Sequence, residues 1–308
     1  MLNSTSKNYC SPVIERNNGT CLSKLTLIKL IIIWNTANIN DKIIYKKTFT
    51  IHKLWNLLND KMKYICKNNN DICWYDSLIK MSKDYNIKKN INDLKNKELR
   101  PEKPIEWNKD PHEWLSNFDI ENVMNQYQNN KSFKYVFLGV FPIDFAVKNS
   151  SNKCMYSDFC NIDIKKYINY KKKFIGLITN LDKHNQSGSH WTSIFIVIDP
   201  KLKSYGAYYY DSTAKNIPSY ILDFLNNIKS QLLSIYPNIP FNFYYNKKQH
   251  QKSNTECGVF SITFQIRWLN LLKKNKDSNF NDVINNPYLN DNSMYKMRDF
   301  LFRPNNIK

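Results

Sequence analysis

A cysteine stands in this sequence where a polar loop gives way to an apolar helix. Residues 251–260 read Gln-Lys-Ser-Asn-Thr-Glu-Cys-Gly-Val-Phe, and further apolar residues follow Cys257 at helical spacing. The first N–H groups of a helix lack intrahelical partners and stabilise an anion, so a thiol at such a position is favoured as its thiolate. Free cysteine is also among the most buried residue types. The position of Cys257 alone is therefore compatible with two roles, a nucleophile and a packing residue.

A nucleophilic thiol requires a general base, and that base requires an acceptor that orients it. Of the five histidines, His190 directly precedes a β-branched run that predicts a strand from Trp191. The next predicted strand, Tyr205–Tyr210, ends directly before Asp211. If the two strands are antiparallel, His190 and Asp211 emerge at the same sheet edge, where the carboxylate accepts an imidazole N–H. A turn or cap role is the common alternative for an aspartate that ends a strand.

Two glutamines precede the cysteine and are candidates for binding the oxyanion that forms when sulfur attacks a carbonyl. Gln251 lies six positions before Cys257 and is the better candidate, with Gln249 as the alternative. A side-chain amide and the backbone N–H of Cys257 would supply the two donors that an oxyanion hole needs. The other two histidines in this half of the chain, His184 and His250, are predicted to be solvated loop residues.

The joint pattern resembles a known superfamily, the proteases of ubiquitin-like proteins such as SUMO together with the adenovirus-type viral processing proteases. The residues that carry the resemblance are, in order, His190, Trp191, Asp211, Gln251, Cys257 and Gly258. The resemblance implies that His190 is the base, Asp211 its orienting residue and Cys257 the nucleophile. It also implies that Gln251 is the oxyanion donor and that Trp191 binds substrate by roofing a narrow tunnel. Such a tunnel admits only small residues, so cleavage after Gly-Gly or Gly-Ala is expected.

A second block extends the resemblance upstream. Residues 113–120 read Glu-Trp-Leu-Ser-Asn-Phe-Asp-Ile, and residues 133–145 read Phe-Lys-Tyr-Val-Phe-Leu-Gly-Val-Phe-Pro-Ile-Asp-Phe. Both look like the start of the catalytic domain in proteases of large cytoplasmic DNA viruses, the African swine fever virus-type polyprotein-processing proteases. Those enzymes have Asn at the orienting position, whereas this chain has Asp211. Asp144, inside the second motif, is predicted to bond backbone or loop groups.

The resemblance implies a cysteine endopeptidase that processes viral structural or core polyprotein precursors at Gly-Gly-Xaa-like sites during virion maturation. Its partner would be a protein substrate, and its location would be the virion and the host cytoplasm, at viral factories. Two alternatives remain open. One is a deconjugating protease of SUMO or ubiquitin-like modifiers, which would share every catalytic residue. The other is a non-catalytic DNA- or scaffold-binding adaptor, which the filled catalytic positions disfavour.

The domain organisation is indicated by a charged, proline-punctuated linker at 95–104, Lys-Asn-Lys-Glu-Leu-Arg-Pro-Glu-Lys-Pro. This linker predicts a helical N-terminal arm domain at 1–104 and a cysteine protease catalytic domain at 105–308. Apolar residues at helical spacing predict arm helices at 21–35, at 50–62 and from Cys73 onwards. The layout vaguely resembles the small SAP-type modules that bind DNA. Packing on the catalytic domain, or binding substrate, is the default role.

The catalytic domain is predicted to be α+β, with a central mixed sheet and a buried helix that begins at the nucleophile. That helix is apolar on most faces, which is typical of a buried helix. Its burial would fix the direction of the Cys257 side chain. The predicted strands are 135–140, 174–179, 191–198, 205–210 and 241–245, and the other predicted helices are 120–127 and 219–236.

Composition adds limits to these expectations. The net charge of +19 favours weak binding of DNA or an acidic scaffold through the basic surface, although A/T-rich codon usage would give the same charge. The apolar run at 25–34 is too short to span a bilayer, and the N-terminus does not read as a signal peptide. The seven cysteines are predicted to be reduced thiols. Their spacing does not fit a zinc site, and we expect neither a metal nor a cofactor.

Overall fold

The computed structural model describes residues 9–14, 20–66, 71–148 and 151–305. The chain divides into two compact units, Met1–Lys103 with Phe300–Lys308, and Pro104–Asp299. The segment from Phe300 onwards thus groups with the first unit. The division into domains at 1–104 and 105–308 stays a prediction.

The first unit is helical in its described part, and a buried glutamate links its helices. The helices are α1 (Lys24–Ala37), α2 (Ile51–Met62), α3 (Asp71–Met81) and α4 (Tyr85–Glu98). Glu98, at the end of α4, accepts hydrogen bonds from the Thr26 hydroxyl of α1 at 2.7 Å and the Tyr75 hydroxyl of α3 at 2.8 Å. The three predicted arm helices are confirmed. Helix α4 is not predicted because its sequence is mostly polar, so its apolar stripe is weak.

The second unit contains a mixed five-stranded sheet in the order β1-β2-β3-β4-β5. The strands are β1 (Tyr135–Pro142), β2 (Phe174–Asn180), β3 (Trp191–Val197), β4 (Gly206–Tyr210) and β5 (Asn242–Tyr245). Strands β1 and β2 are parallel, as are β4 and β5, whereas β3 is antiparallel to both of its neighbours. The predicted α+β fold with a central mixed sheet is therefore confirmed.

Helices connect and cover these strands. They are α5 (Asn117–Asn129), α6 (Ser157–Cys160), α7 (Ile164–Asn169), α8 (Ser219–Ile235), α9 (Cys257–Lys274), α10 (Phe280–Ile284) and α11 (Asp291–Leu301). Short 3₁₀ helices lie at Ile105–Asn108 and Lys131–Phe133. The helices predicted at the positions of α5, α8 and α9 are confirmed, whereas α6, α7 and α10 are too short for a periodic apolar pattern to show.

Side chains alternate between the two faces of each strand, and a different helix covers each face. On one face, Ile194 and Ile196 of β3 belong to an apolar cluster with Phe224 and other residues of α8. On the other face, Phe195 stacks on Trp268 of α9, with ring centroids 5.4 Å apart. Helix α9 is buried along most of its length. The predicted buried helix is therefore confirmed.

A buried glutamine holds α9 in register on the sheet. Gln265 is fully buried, and its Nε2 donates to Ser193 Oγ and to the Ile194 carbonyl, both at 2.8 Å. Its Oε1 accepts the Tyr135 hydroxyl at 3.0 Å. An unpaired buried amide costs about 1–3 kcal/mol, so any other register of α9 on this face is disfavoured. Gly176 of β2 leaves the space that these side chains occupy.

Six of the seven cysteines form disulfides, so the prediction of reduced thiols is wrong. The pairs are Cys10–Cys21, Cys66–Cys73 and Cys154–Cys160, with Cα atoms 5.1, 5.9 and 5.9 Å apart. Each pair is separated by only 6 to 11 residues in sequence, so closing a short loop brings the thiols together. All seven cysteines lie in the described part of the chain, and Cys257 is the one left free.

We expect Gly176→Ala to destabilise the second unit. A Cβ at position 176 would overlap the Tyr135 hydroxyl and Gln265 Oε1, so the bond between them must shift. Overpacking of this kind lowers the free energy of unfolding by about 1–3 kcal/mol. Urea denaturation followed by tryptophan fluorescence measures the change. A midpoint equal to that of the unmodified protein would show that the glutamine does not need this space.

Candidate active site

Cys257 is the first residue of α9. It is 1% exposed and has the unpaired N–H groups of the first helical turn around it, which stabilise a negative charge. The next residue is a glycine for a steric reason. A Cβ at Gly258 would lie 3.1 Å from the Leu115 Cβ and 3.3 Å from the Trp191 ring. The start of the helix therefore lies close against both of these side chains.

The antiparallel pairing of β3 and β4 brings His190 and Asp211 to one edge of the sheet. Ser193 pairs with Tyr210, so the residues before β3 and after β4 emerge together, as predicted. His190 Nε2 lies 2.8 Å from Asp211 Oδ1. The Asp211 side chain is fully buried and that of His190 is 14% exposed. The other ring nitrogen, Nδ1, is thus free to face a second partner.

The Cys257 side chain lies close enough to His190 to affect the charge of the ring. Burial lowers the pKa of His190, but the hydrogen bond to Asp211, the charge of Asp211 and the proximity of Cys257 outweigh burial and raise that pKa to about 9. A raised pKa keeps the imidazole protonated at neutral pH. This arrangement is suited to an imidazolium next to a thiolate.

The Asp211 carboxylate is held by several donors. Its Oδ1 accepts the backbone N–H and the hydroxyl of Thr213, both at 2.7 Å, besides the His190 ring. Burial raises the pKa of Asp211, but the hydrogen bond and charge of His190 and the Thr213 bonds outweigh burial and lower it. Asn246 fixes the backbone of the same residue, because its Oδ1 accepts the Asp211 N–H at 3.0 Å and its Nδ2 donates to the Asp211 carbonyl at 2.7 Å.

Gln251 lies in the loop between β5 and α9 and is 2% exposed. Its Oε1 accepts the Ser212 hydroxyl at 2.5 Å, and its Nε2 donates to the Ser253 carbonyl at 2.9 Å. The alternative glutamine, Gln249, is exposed and donates to the Gln251 carbonyl at 2.8 Å. Of the two, Gln251 is the one whose amide is buried and oriented.

Trp191 and the segment before α5 lie next to the start of α9. The Trp191 indole N–H donates to the Leu115 carbonyl at 3.0 Å, and the Trp191 side chain is half-buried. Leu115 is buried and contacts the position of Gly258. These contacts give the indole a fixed orientation at the edge of the site.

The residue before the cysteine belongs to a buried ion pair. Glu256 Oε2 lies 2.8 Å from Arg298 Nε, and the two side chains are 2% and 3% exposed. Arg298 Nη1 donates to the carbonyls of Pro111 and Glu113 at 3.0 and 2.9 Å. Its guanidinium stacks over Trp107 at 4.2 Å from the ring centroid. Arg298 therefore fastens the segment that leads to Leu115 onto the start of α9.

Several residues of this site do not stand out in the sequence. Ser212, Asn246 and Arg298 act through contacts that join segments 35 or more positions apart, and no local pattern marks them. The only available signal is that Ser212 directly follows the predicted Asp211.

Two further expectations concern His184 and His250. Asp144 accepts the His184 backbone N–H at 3.0 Å and lies 2.7 Å from His184 Nδ1, which confirms its predicted role in bonding loop groups. The prediction that His250 is solvated is wrong. His250 is 6% exposed, because its Nδ1 hydrogen-bonds the buried Tyr210 hydroxyl at 3.0 Å.

Neither a metal site nor a membrane-spanning helix is found among the described residues. No group of three or more His, Cys, Asp or Glu side chains within 9–14, 20–66, 71–148 and 151–305 is arranged to hold a metal ion. Among the helices in those same ranges, none combines the length and the apolar character needed to cross a bilayer.

Comparison with known proteins finds similarity to viral proteases. No protein-family model matches it. A thiol protease of Acanthamoeba polyphaga mimivirus is 29% identical over 277 residues, which are 85% of this chain and 84% of that protein. The SUMO-1 cysteine protease of African swine fever virus is 30% identical over 128 residues, 42% of this chain and 43% of that protein.

A solved structure supports the fold. The crystal structure of the African swine fever virus protease has a TM-score of 0.64 to this chain at 19% sequence identity, and the match covers 97% of each chain. At this level of identity the likeness concerns the fold alone.

We expect the His190 ring to titrate with a midpoint at about 9 when followed by NMR. Asp211→Asn keeps an acceptor for the ring but removes the negative charge, so the midpoint should move to lower pH. Cys257→Ala should lower it as well, because it removes the second partner. The His250 ring, whose pKa is lowered by burial, is an internal reference. A His190 midpoint that neither substitution moves would contradict the geometry.

Arg298→Met should strongly destabilise the second unit. The substitution leaves the Glu256 carboxylate buried without its partner, which typically costs about 3–5 kcal/mol. Adding Glu256→Gln removes the orphaned charge, so the double variant should regain part of the lost free energy of unfolding, while the Arg298 bonds to the carbonyls of residues 111 and 113 stay lost. Urea denaturation of the single and double variants tests both statements. If the double variant is no more stable than Arg298→Met, the pairing of these two charges is not what stabilises the start of α9.

Proposed function

From the similarity of this chain to cysteine proteases of large DNA viruses, we propose that it is an endopeptidase that processes viral structural or core polyprotein precursors during virion maturation. We propose cleavage at Gly-Gly-Xaa-like sites. The observation that carries this proposal is that the His190 imidazole hydrogen-bonds the buried Asp211 carboxylate and lies close to the Cys257 side chain at the start of a helix, and both neighbours raise the pKa of the ring.

In the proposed mechanism, His190 and Cys257 rest as an imidazolium and a thiolate. The sulfur attacks the carbonyl carbon of the scissile peptide bond and forms a tetrahedral oxyanion. His190 then gives its proton to the leaving amine as the C–N bond breaks, which leaves an acyl-enzyme. Neutral His190 then takes a proton from water, the resulting hydroxide adds to the thioester carbonyl, and the C–S bond breaks. This step releases the product carboxylate and restores the thiolate and the imidazolium. Asp211 accepts a hydrogen bond from His190 Nε2–H throughout and so holds the ring tautomer.

The oxyanion and the residues before the cut are assigned to two further side chains. We assign Gln251 and the Cys257 backbone N–H as donors to the oxyanion, and loss of one such donor typically costs ~10²–10³ in rate. We assign Trp191 as a wall of the substrate cleft. Its indole is fixed on the Leu115 carbonyl and lies against Gly258, which supports a narrow cleft that accepts glycine in the substrate.

The remaining proposals concern the rest of the chain and its surroundings. We propose that residues 1–104 form an arm domain and residues 105–308 the catalytic domain, acting in the virion and the host cytoplasm. The net charge of +19 supports weak binding of DNA or an acidic scaffold.

The direct test is substitution of the nucleophile. Cys257→Ala should abolish cleavage of a viral precursor that contains an internal Gly-Gly-Xaa sequence. It should also abolish modification by iodoacetamide, because Cys257 is the one cysteine of the seven that is not in a disulfide. Cleavage is followed by electrophoresis and N-terminal sequencing, and alkylation by mass spectrometry. Peptidase activity retained in the purified Cys257→Ala protein would sink the proposal.

A second candidate function is deconjugation of ubiquitin-like modifiers. It is favoured by one relative, the SUMO-1 cysteine protease of African swine fever virus, and it would use the same three residues. Incubation with SUMO whose C-terminal Gly-Gly carries a fluorophore separates the two functions. Efficient release of the fluorophore, with no cleavage of viral precursors, would replace precursor processing by deconjugation.

A further inference from the structure

Ser212 joins the two halves of the site. It directly follows Asp211, and its hydroxyl donates to Gln251 Oε1 at 2.5 Å. Its backbone carbonyl accepts the N–H groups of His250 and Gln251 at 2.9 and 3.0 Å. Ser212 and Gln251 are 1% and 2% exposed. The end of β4 and the loop before α9 are therefore locked together at this serine, away from bulk water.

The orientation of the Gln251 amide follows from its two neighbours. Its Nε2 donates to the Ser253 carbonyl at 2.9 Å, and a carbonyl can only accept. The amide oxygen is therefore the atom that faces Ser212, and the serine hydroxyl must be the donor. Nε2 carries a second hydrogen, and within the described part of the chain no side chain or backbone group accepts it.

We propose that Ser212 is a positioning residue that keeps this second hydrogen available to the oxyanion. The inference rests on the proposed function of Gln251. Without the serine hydroxyl, the amide oxygen loses its only hydrogen-bond donor among the described residues, so the amide can rotate or flip. A flipped amide would turn its oxygen towards the developing negative charge and repel it. Ser212 acts through Gln251 and not on the reacting atoms.

The test is a double-mutant cycle with Ser212→Ala, Gln251→Ala and the two combined. One probe is a fluorogenic peptide that ends in Gly-Gly-aminomethylcoumarin. The other is 4-nitrophenyl acetate, which acylates a thiolate through an oxyanion without peptide specificity. Ser212→Ala should lower kcat about tenfold or more with little change in KM, up to the ~10²–10³ expected for complete loss of a donor. In the Gln251→Ala background, Ser212→Ala should cause no further loss.

A matched control removes the same atom from another buried serine. Ser204 is 2% exposed, and its hydroxyl has no hydrogen-bond partner among the described residues, so Ser204→Ala should keep the original kcat. The rate of Cys257 alkylation by iodoacetamide should be unchanged in Ser212→Ala, which shows that the thiolate and the fold are intact. If Ser212→Ala does not fold, Ser212→Cys, which keeps a weaker donor, replaces it with a smaller expected loss.

The possible outcomes separate this inference from the proposed function. Full activity in Ser212→Ala, or equal loss from Ser212→Ala with and without Gln251, overturns the positioning role. Full activity in Gln251→Ala instead removes the oxyanion assignment itself. The Cys257→Ala protein gives the background rate of reaction with 4-nitrophenyl acetate. If the unmodified protein reacts no faster than this background, the assignment of Cys257 as the nucleophile fails.

Discussion

The packing of α9 on the central sheet is the contact on which the rest of the site depends. Phe195 stacks on Trp268 with nearly parallel rings, and the Gln265 amide hydrogen-bonds both β3 and the Tyr135 hydroxyl. Apolar contact gives the helix its affinity for the sheet but permits sliding, whereas the buried amide permits only the register in which its bonds are made. Cys257 begins this helix, so the register decides how far its sulfur lies from the edge where β3 starts and β4 ends.

Each buried carboxylate near Cys257 is paired with a basic side chain. Two buried carboxylates lie near the sulfur, Asp211 through His190 and Glu256 as the preceding residue. Each has a positive partner, the His190 ring or the Arg298 guanidinium. An uncompensated carboxylate beside a thiolate would oppose its negative charge. The two pairs also have mechanical roles, because Arg298 holds the carbonyls of residues 111 and 113 and Asp211 orients the ring.

The three disulfides determine which cysteine keeps a free thiol. They occupy six cysteines and leave Cys257 as the free thiol of the seven. Cys257 is therefore the one cysteine thiol that an oxidant can modify. The prediction of reduced thiols rested on an assumed reducing compartment. It fails because the fold brings six of the cysteines together in bonded pairs.

Local sequence patterns were enough to predict the five strands, the longer apolar helices and the place of Cys257 at a helix start. Strand periodicity and β-branched runs put β1 to β5 within two residues of their observed bounds, because side-chain alternation is a local property. The apolar character of the helix after Cys257 likewise predicted its burial. The neighbours of His190, Asp211 and Gln251 were decided only by the tertiary structure. Ser212, Asn246 and Arg298 contact residues 35 to 42 positions away, and such contacts exist only after strands pair and helices pack, so no local pattern encodes them.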